Sequence, residues 1–248
     1  MDRIFEAQEA QAYEDWLDTR AGQAYQAASN RLLDRVLDYR PGWRVLDVGC
    51  GLGVHLQHLH DRGLVCFGLE AGPVTARVAQ QRLGSQVEVE VGDAHDLPYE
   101  DNSFDAAILI NTLELVDRPA QVLSEAARVA QSRVCLISLN LLSWANLSRR
   151  LHPGFHPLRG GRTLSLWGLR QLVRSVLGPV PQAWSAAQLW PRNPPGPWVW
   201  GGLVGVCAAV TPRLRTRPLT VTASARHAPQ PAHSHGRLTV VSRGRESS

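Results

Sequence analysis

Three glycines at alternate positions follow an acidic residue in the first third of the 248-residue chain. The run reads Val45-Leu46-Asp47-Val48-Gly49-Cys50-Gly51-Leu52-Gly53. Its apolar start predicts a buried strand, and the glycines let the backbone turn tightly and approach a ligand closely. Open α/β sheets bind nucleotides in such loops, at the carboxyl ends of their strands. The run therefore predicts a nucleotide-like ligand beside a carboxylate.

Two more acidic residues stand after the next two predicted strands. Glu70 ends the apolar run 64–69, and Asp93 follows the alternating strand 87–91. The carboxyl ends of parallel strands meet at one edge of a sheet, so these carboxylates and Asp47 are expected to face one site. Glu70 can accept hydrogen bonds from both hydroxyls of a ribose, and charge-assisted bonds of this kind contribute about 1.5–3 kcal/mol.

The elements that position these residues alternate between strands and helices. Helical spacing of apolar residues predicts the helices, and short apolar runs predict the strands. Pro73 is expected in the first turn of a helix that ends near Gly84. Further strands are expected at residues 104–110 and 134–139, with a helix at 118–130 between them. This alternation predicts a parallel sheet.

The pattern loosens in the last hundred residues. Ser165 is expected to cap a helix that runs to Leu177, because serine is a favourable N-cap. Two more strands are expected at residues 180–190 and 218–225. The apolar run 198–210, too short to cross a bilayer, is expected to form a packed helix.

The glycine run resembles the first motif of class I S-adenosylmethionine (SAM)-dependent methyltransferases, in the form of the small-molecule family called type 11. Residues 91–99, Val-Gly-Asp-Ala-His-Asp-Leu-Pro-Tyr, resemble the family's third signature, and residues 101–105 its loop into the fourth strand. The resemblance covers residues 10–140. It implies a Rossmann-like α/β fold with a seven-stranded, mostly parallel sheet, helices on both faces and an N-terminal helical lid. In this fold the last two strands form a hairpin at one sheet edge.

The resemblance also implies which residues bind SAM. Asp47 would lie near the methionine ammonium, Glu70 at the ribose and Asp93 at the adenine amino group. The expected SAM-binding residues are Asp47, Gly49, Cys50, Gly51, Gly53, Glu70, Ala71, Asp93, Ala94 and Asn111, with Tyr13 and Trp16 from the lid. The family often has histidine where Leu115 stands, so we assign no catalytic residue.

Residues 5–39 are predicted to be helical and to divide at Gly22. Tyr13 and Trp16 on the first helix either contact SAM or only pack their helix onto the core. The expected organisation is a lid (1–40), a SAM-binding core (41–226) and a disordered tail (227–248). The core includes an insertion at residues 140–163, rich in Arg, His and Trp, whose role the sequence does not fix.

The expected function is transfer of a methyl group from SAM to an N, O, C or S atom of a small-molecule acceptor. Two alternatives stay open. A nicotinamide-dependent oxidoreductase would have the third glycine of its fingerprint where Val54 stands. A SAM-binding protein without catalysis is compatible with Leu115 in place of the usual histidine.

Composition and charge limit the classes of partner that we expect. The net charge of +4 is modest, and the sequence has no added RNA-binding module, so nucleic acid is not the expected partner. The cysteines, Cys50, Cys66, Cys135 and Cys207, have no metal-binding spacing, and free buried thiols are typical of the cytoplasm. No metal site and no transmembrane segment are expected.

Overall fold

The computed structural model describes residues 4–143, 164–189, 195–197 and 199–212. Seven strands lie in one sheet: β1 (Arg44–Val48), β2 (Val65–Glu70), β3 (Glu88–Val91), β4 (Phe104–Ile110), β5 (Ala130–Leu139), β6 (Gln182–Ala187) and β7 (Leu203–Ala209). Their order is β3-β2-β1-β4-β5-β7-β6. Strands β1 to β5 pair in parallel, whereas β7 pairs antiparallel with both β5 and β6. The sheet therefore has the expected strand number and edge hairpin.

Six described helices cover the sheet: α1 (Ala7–Asp18), α2 (Arg20–Leu37), α3 (Val54–His60), α4 (Pro73–Leu83), α5 (Pro119–Val129) and α6 (Leu166–Leu177). Several of their ends carry recognised start and stop signals. Pro73 and Pro119 open helices, Ser165 accepts a hydrogen bond from the N–H of Gly168 at 3.1 Å, and α4 ends at Gly84. None of the described helices is long and apolar enough to span a bilayer.

Two apolar clusters hold these layers together, one on each face of the sheet. Helices α2 and α3 pack on one face, where Leu32, Leu33 and Leu56 are fully buried. Helices α5 and α6 pack on the other face, with Leu123 and Val173 fully buried. Residues Met1–Arg213 form one compact unit, and the other unit, Leu214–Ser248, lies outside the described residues.

The expected helix at 198–210 is wrong, because residues Leu203–Ala209 form strand β7. This strand lies between β5 and β6, and six of its seven residues are buried. A short run that is apolar on every side has neither the period of an amphipathic helix nor that of a half-buried strand. The hairpin therefore uses β7, and the strand expected at 218–225 lies outside the described residues.

The division of the N-terminal helices is also displaced. The chain breaks at Thr19, whose backbone is extended and whose hydroxyl accepts a hydrogen bond from the N–H of Gly22 at 3.1 Å. Gly22 lies in the first turn of α2, where a Cβ atom would meet the carbonyl oxygen of Trp16 at 2.1 Å. Glycine is needed there for the close approach of the two helices, and the N-cap at Thr19 makes the break.

Cys135, one of the cysteines expected to be a free buried thiol, is paired. Cys135 on β5 stands opposite Cys207 on β7, and the two form a disulfide. Cys50 and Cys66 are free and buried, as expected. The pairing is not visible in the sequence, because 72 positions separate the partners and the apolar run that carries Cys207 favours a helix.

Candidate functional site

A pocket of ≈ 1000 Å³, counting the space at its open mouth, lies at the carboxyl ends of β1, β2 and β4. Helix α1 and the segment before it form one wall. The pocket is lined by eleven of the twelve residues expected to bind SAM: Tyr13, Trp16, Asp47, Gly49, Cys50, Gly51, Glu70, Ala71, Asp93, Ala94 and Asn111. The fold thus brings together residues that are up to 98 positions apart in the sequence.

The glycine loop turns directly after β1 and is fixed to the neighbouring strand. The N–H groups of Gly49 and Cys50 donate to the carbonyl of Leu69 at 2.7 and 3.1 Å. Gly49 has a φ of +76°, and a Cβ atom there would meet the Thr112 side chain at 2.7 Å. The Thr112 hydroxyl in turn donates to the carbonyl of Val48 at 2.7 Å. The loop is therefore held at both sides before any ligand binds.

This geometry predicts the cost of adding one methyl group at Gly49. We expect Gly49→Ala to lower the free energy of unfolding by about 2–4 kcal/mol, because left-handed strain and overpacking add. Gly42→Ala is the matched control, since Gly42 has a similar φ of +81° but no atom within 4 Å of the position that a Cβ atom would take. That control should cost only about 1–2 kcal/mol. Equal losses in chemical denaturation of the two variants would show that Thr112 does not restrict the loop.

Gly53 is the expected SAM-binding residue that the pocket does not include. It stands at the N-cap of α3 with a φ of +74°, and a Cβ atom there would meet Leu83 at 2.8 Å and Ala79 at 3.3 Å. Both neighbours belong to α4. In this position glycine lets α3 start close against α4, so the structure gives it a packing role.

Glu70 is buried at the end of β2, with both carboxylate oxygens held by backbone donors. The N–H of Gly51 donates to Oε2 at 3.0 Å, and the N–H of Gly72 donates to Oε1 at 2.9 Å. Burial raises the pKa of this carboxyl, while the backbone donors act in the opposite direction. The backbone N–H of Ala71 also lowers this pKa by hydrogen bonding, so three of the four lone pairs of the carboxylate are engaged. Glu70 is therefore fixed in place, with acceptor capacity left for a ligand hydroxyl.

Asp47 is the most deeply buried acid of the pocket, at 1% exposure. Neither of its carboxylate oxygens has a hydrogen-bond partner among the described residues. Burial, and secondarily the charge of Glu70, raise its pKa from 3.8 to about 8. An unpartnered buried acid is costly, so this site favours a ligand that brings a positive charge and several N–H donors.

Asn111 lies on the segment that follows β4, and its side-chain oxygen adds a third acceptor to the two oxygens of Asp47. Its backbone is left-handed, with a φ of +55°, a conformation that asparagine tolerates well. Its side-chain N–H donates to the hydroxyl of Tyr25, while its carbonyl oxygen Oδ1 is buried without a partner in the described part of the chain. The pocket floor therefore presents three unpartnered oxygens from two side chains.

Asp93 sits at the pocket rim, with its side chain 60% exposed. The backbone N–H of His95 donates to Oδ1 at 2.8 Å, and the His95 ring lies at the same distance from that oxygen. These contacts hold the pKa of Asp93 below its usual range. Asp93 therefore faces the pocket as a carboxylate with one oxygen engaged, and Ala94 is buried beside it.

An aromatic wall closes the N-terminal side of the pocket. Tyr13 and Trp16 are stacked with their ring centroids 6.0 Å apart, and Trp16 lies 5.4 Å from Tyr25 on α2. Phe5 extends the series at 6.1 Å from Tyr13. The rings pack against each other and line the pocket as well, so packing and a place at the ligand site are compatible.

The comparisons with known proteins agree with this geometry. Residues 46–137, from β1 into β5, match the model of a methyltransferase domain family. This part of the chain is therefore similar to a methyltransferase domain. The expected family resemblance is confirmed, and its first and third motifs fall on the pocket described above.

Individual relatives agree with this domain but extend beyond it. The chain is 31% identical over 168 residues to ajmaline N-methyltransferase of Rauvolfia serpentina, covering 60% of this chain and 55% of that protein. It is 33% identical over 119 residues to demethylmenaquinone methyltransferase of Renibacterium salmoninarum, covering 48% and 46%. The chain thus spans about half the length of these curated relatives.

Solved structures share the fold of the methyltransferase domain at low sequence identity. A SAM-dependent methyltransferase of Thermotoga maritima, described as a possible histamine N-methyltransferase, has a TM-score of 0.67 at 20% identity, covering 80% of this chain and 94% of that one. Magnesium protoporphyrin IX methyltransferase of Synechocystis, solved with bound S-adenosylhomocysteine, has a TM-score of 0.62 at 17% identity, with coverages of 84% and 96%.

The pocket of the methyltransferase domain also includes residues that the sequence does not single out. Tyr25 and His55 line it from α2 and α3. The Nδ1 atom of His55 is hydrogen-bonded to Oδ1 of Asn30 at 2.8 Å. Burial lowers the pKa of His55 to about 3, so its ring is neutral. In the sequence both residues occupy ordinary helix positions, one on an apolar face and one on a predicted solvated face. The described residues contain no group of three metal-ligating side chains.

Proposed function

We propose that this chain is a SAM-dependent methyltransferase that acts on a small-molecule acceptor. The observation that carries the proposal is the set of unpartnered buried oxygens on Asp47 and Asn111, beside a glycine loop and the fixed carboxylate of Glu70. An ammonium supplies the positive charge and the three N–H donors that the unpartnered oxygens of Asp47 and Asn111 can accept. The hydroxyls of a ribose can donate hydrogen bonds to Glu70. SAM carries both groups in one molecule.

SAM supplies an electrophilic methyl group on its sulfonium, which an N, O, C or S atom of the acceptor attacks in line. The residues of this chain would bind SAM and orient it toward the acceptor. Asp47 and Asn111 would hold the methionine ammonium, Glu70 the ribose, and Asp93 with the backbone of Ala94 the adenine. The aromatic wall of Tyr13 and Trp16 excludes water from that side. Positioning and exclusion of water are sufficient sources of rate for this reaction.

An acceptor that must lose a proton also needs a base. His55 is a poor candidate, because its lowered pKa makes the ring weakly basic. Leu115 lines the pocket where the family often has histidine. We therefore assign no general base among the described residues that line the pocket.

Ligand-dependent stability tests the proposal. SAM or S-adenosylhomocysteine at about 100 times its dissociation constant should raise the free energy of unfolding by about 2.7 kcal/mol. NADH serves as the control and should have no effect. Calorimetric titration of folded protein with neither SAM nor S-adenosylhomocysteine binding would overturn the proposal, and binding of NADH alone would favour the oxidoreductase alternative.

Turnover separates an enzyme from a SAM-binding protein. Incubation with methyl-labelled SAM and a small-molecule extract should produce S-adenosylhomocysteine and one or more labelled products, identified by mass. Binding without any formation of S-adenosylhomocysteine would favour the non-catalytic alternative.

A further inference from the structure

Charge is divided unevenly along the chain. Residues 1–125 contain 21 acidic residues and 10 arginines, whereas residues 126–248 contain 16 arginines and a single acidic residue, Glu246. The chain has no lysine. A stretch of 120 residues, 126–245, is therefore free of Asp and Glu. Such asymmetry between halves points to an anionic partner for the basic half.

The strand order places the two halves of the sequence on two sides of the sheet, while helix α2 of the acidic half packs against β5, β7 and β6. Strands β3, β2, β1 and β4 come from the acidic half and form one side of the sheet. Strands β5, β7 and β6 come from the acid-free half and form the other side. The helix that follows β5 in the described chain, α6, belongs to the acid-free half as well.

Asn140, fully buried just after β5, joins three segments of this side. Its side-chain N–H groups donate to the carbonyls of Val199 and Gly201 at 2.8 and 2.9 Å. Residue 140 also bridges to Leu164, and the next N–H, that of Leu141, donates to the carbonyl of Leu164 at 2.9 Å. The starts of β7 and α6 are thereby fixed beside the carboxyl end of β5.

Each of these three segments exposes a large apolar side chain. Leu142 is 43% exposed, Trp167 62% and Trp200 71%, and the two tryptophans are the most exposed large apolar residues in the described part of the chain. Trp200 lies between the two residues whose carbonyls bind Asn140. The three segments that meet at Asn140 therefore each present an exposed apolar side chain.

Helix α6 adds positive charge to the same place. Its buried face, with Leu166, Leu169 and Val173, packs into the core. Trp167 and Arg174 are exposed on another side of the helix, and Arg170 lies between them at helical spacing but is half-buried. The helix contains no acidic residue. The tryptophan corner, which we define as Leu142, Trp167, Arg170, Arg174 and Trp200, thus combines exposed indoles with guanidinium groups.

We infer that the tryptophan corner docks onto a bilayer surface that contains anionic lipids. Indole rings favour the headgroup region, and each basic side chain near an anionic leaflet adds attraction. The aliphatic side chain of Leu142 gains from contact with acyl chains but offers no stacking surface to a nucleobase. Strands β5, β6 and β7 and helix α6 contain no acidic residue that would be repelled by an anionic surface.

The corner lies at the same edge of the sheet as the cofactor pocket. Asn140 follows the carboxyl end of β5, as Asn111 follows that of the adjacent β4. A docked chain would hold this edge beside the bilayer. This placement, which rests on the proposed function, favours an acceptor that partitions into membranes.

Vesicle binding of the full chain, without SAM, tests docking independently of methyl transfer. The chain should float with vesicles of phosphatidylcholine and phosphatidylglycerol and bind at least about tenfold more weakly to phosphatidylcholine alone. Trp167→Ser/Trp200→Ser should weaken binding to the anionic vesicles about ten- to one-hundredfold, and Arg174→Gln by several fold. Val65→Ser/Val74→Ser, which removes exposed apolar residues from the acidic half, is the control and should bind like the parent.

Each alternative outcome is distinct. Lack of binding to either vesicle overturns the inference, as does unchanged binding of the tryptophan variant, which would assign binding to arginines elsewhere in the chain. Tighter binding to a short DNA or RNA duplex than to anionic vesicles would assign the basic half to nucleic acid. Because Trp167 and Trp200 are exposed, thermal unfolding of the variant should match the parent. Quenching of parent tryptophan fluorescence by brominated lipids gives a second test that needs no variant.

Discussion

Glu70→Ala should weaken SAM binding about ten- to one-hundredfold, because it removes charge-assisted bonds worth about 1.5–3 kcal/mol. The structure adds a reason for the effect. Backbone N–H groups of Gly51 and Gly72 hold both oxygens of Glu70 before ligand arrives. The carboxylate therefore loses little freedom on binding, and most of the bond energy to a ribose is retained.

A second ligand makes the Glu70 prediction specific. Methylthioadenosine keeps the ribose and adenine of SAM but lacks the methionine ammonium and carboxylate, so its affinity should fall by a similar factor in Glu70→Ala. Glu88→Ala, at an exposed position on β3, is the control and should bind both ligands like the parent. Parental affinity of Glu70→Ala for methylthioadenosine would show that the ribose assignment is wrong.

The first five strands are predictable because local signals agree there. Glycines, prolines and alternating or continuous apolar runs mark most boundaries, and β4 (Phe104–Ile110) has the predicted ends. Strand β5 ends as predicted at Leu139 but begins at Ala130, earlier than the predicted start at residue 134. The side of the sheet beyond β5 is harder. Strand β7 is apolar on every position that faces the core, so only its pairing with β5 and β6 distinguishes it from a buried helix.

The site shows the same division between local and long-range information. Nine of the eleven expected residues that line the pocket stand in motifs next to strand ends, where the backbone path fixes which way they face, and the other two, Tyr13 and Trp16, lie on α1. Tyr25 cannot be assigned this way, because it continues the apolar face of α2 and its hydroxyl meets Asn111 only once β4 is in place. Gly53 is expected at the pocket but lies outside it. The close packing of α3 against α4 is what requires glycine at this position of the motif.

Binding of SAM should release close to one proton at pH 6.5 and take up protons at pH 9. Burial and the charge of Glu70 raise the pKa of Asp47 to about 8, so its carboxyl is protonated at pH 6.5 in the unliganded protein. Pairing with the SAM ammonium requires the carboxylate, and the proton must leave. An α-amino group titrates at about pH 7.7–8.0, so at pH 9 the carboxylate is ready and the amine must gain a proton.

Asp47→Asn removes the coupling between SAM binding and proton release. It also shows how much the buried carboxylate of Asp47 destabilises the fold. A carboxyl whose pKa is higher in the folded than in the unfolded protein makes stability fall as pH rises from about 4 to about 8. Asp47→Asn should therefore be more stable than the parent at pH 8 by several kcal/mol, since each pKa unit corresponds to about 1.4 kcal/mol. The same variant should bind SAM at least about tenfold more weakly at that pH, because an amide cannot neutralise the ammonium.

Calorimetric titrations at pH 6.5 in buffers of different ionisation enthalpy measure the number of protons released. The parent should release close to one proton with SAM and none with methylthioadenosine, which has no ammonium. Asp47→Asn should release none with either ligand. Equal proton release by the parent and Asp47→Asn would place the titrating group elsewhere in the protein. The absence of release from the parent would mean that the carboxyl is already ionised without ligand, or that the ammonium does not meet it.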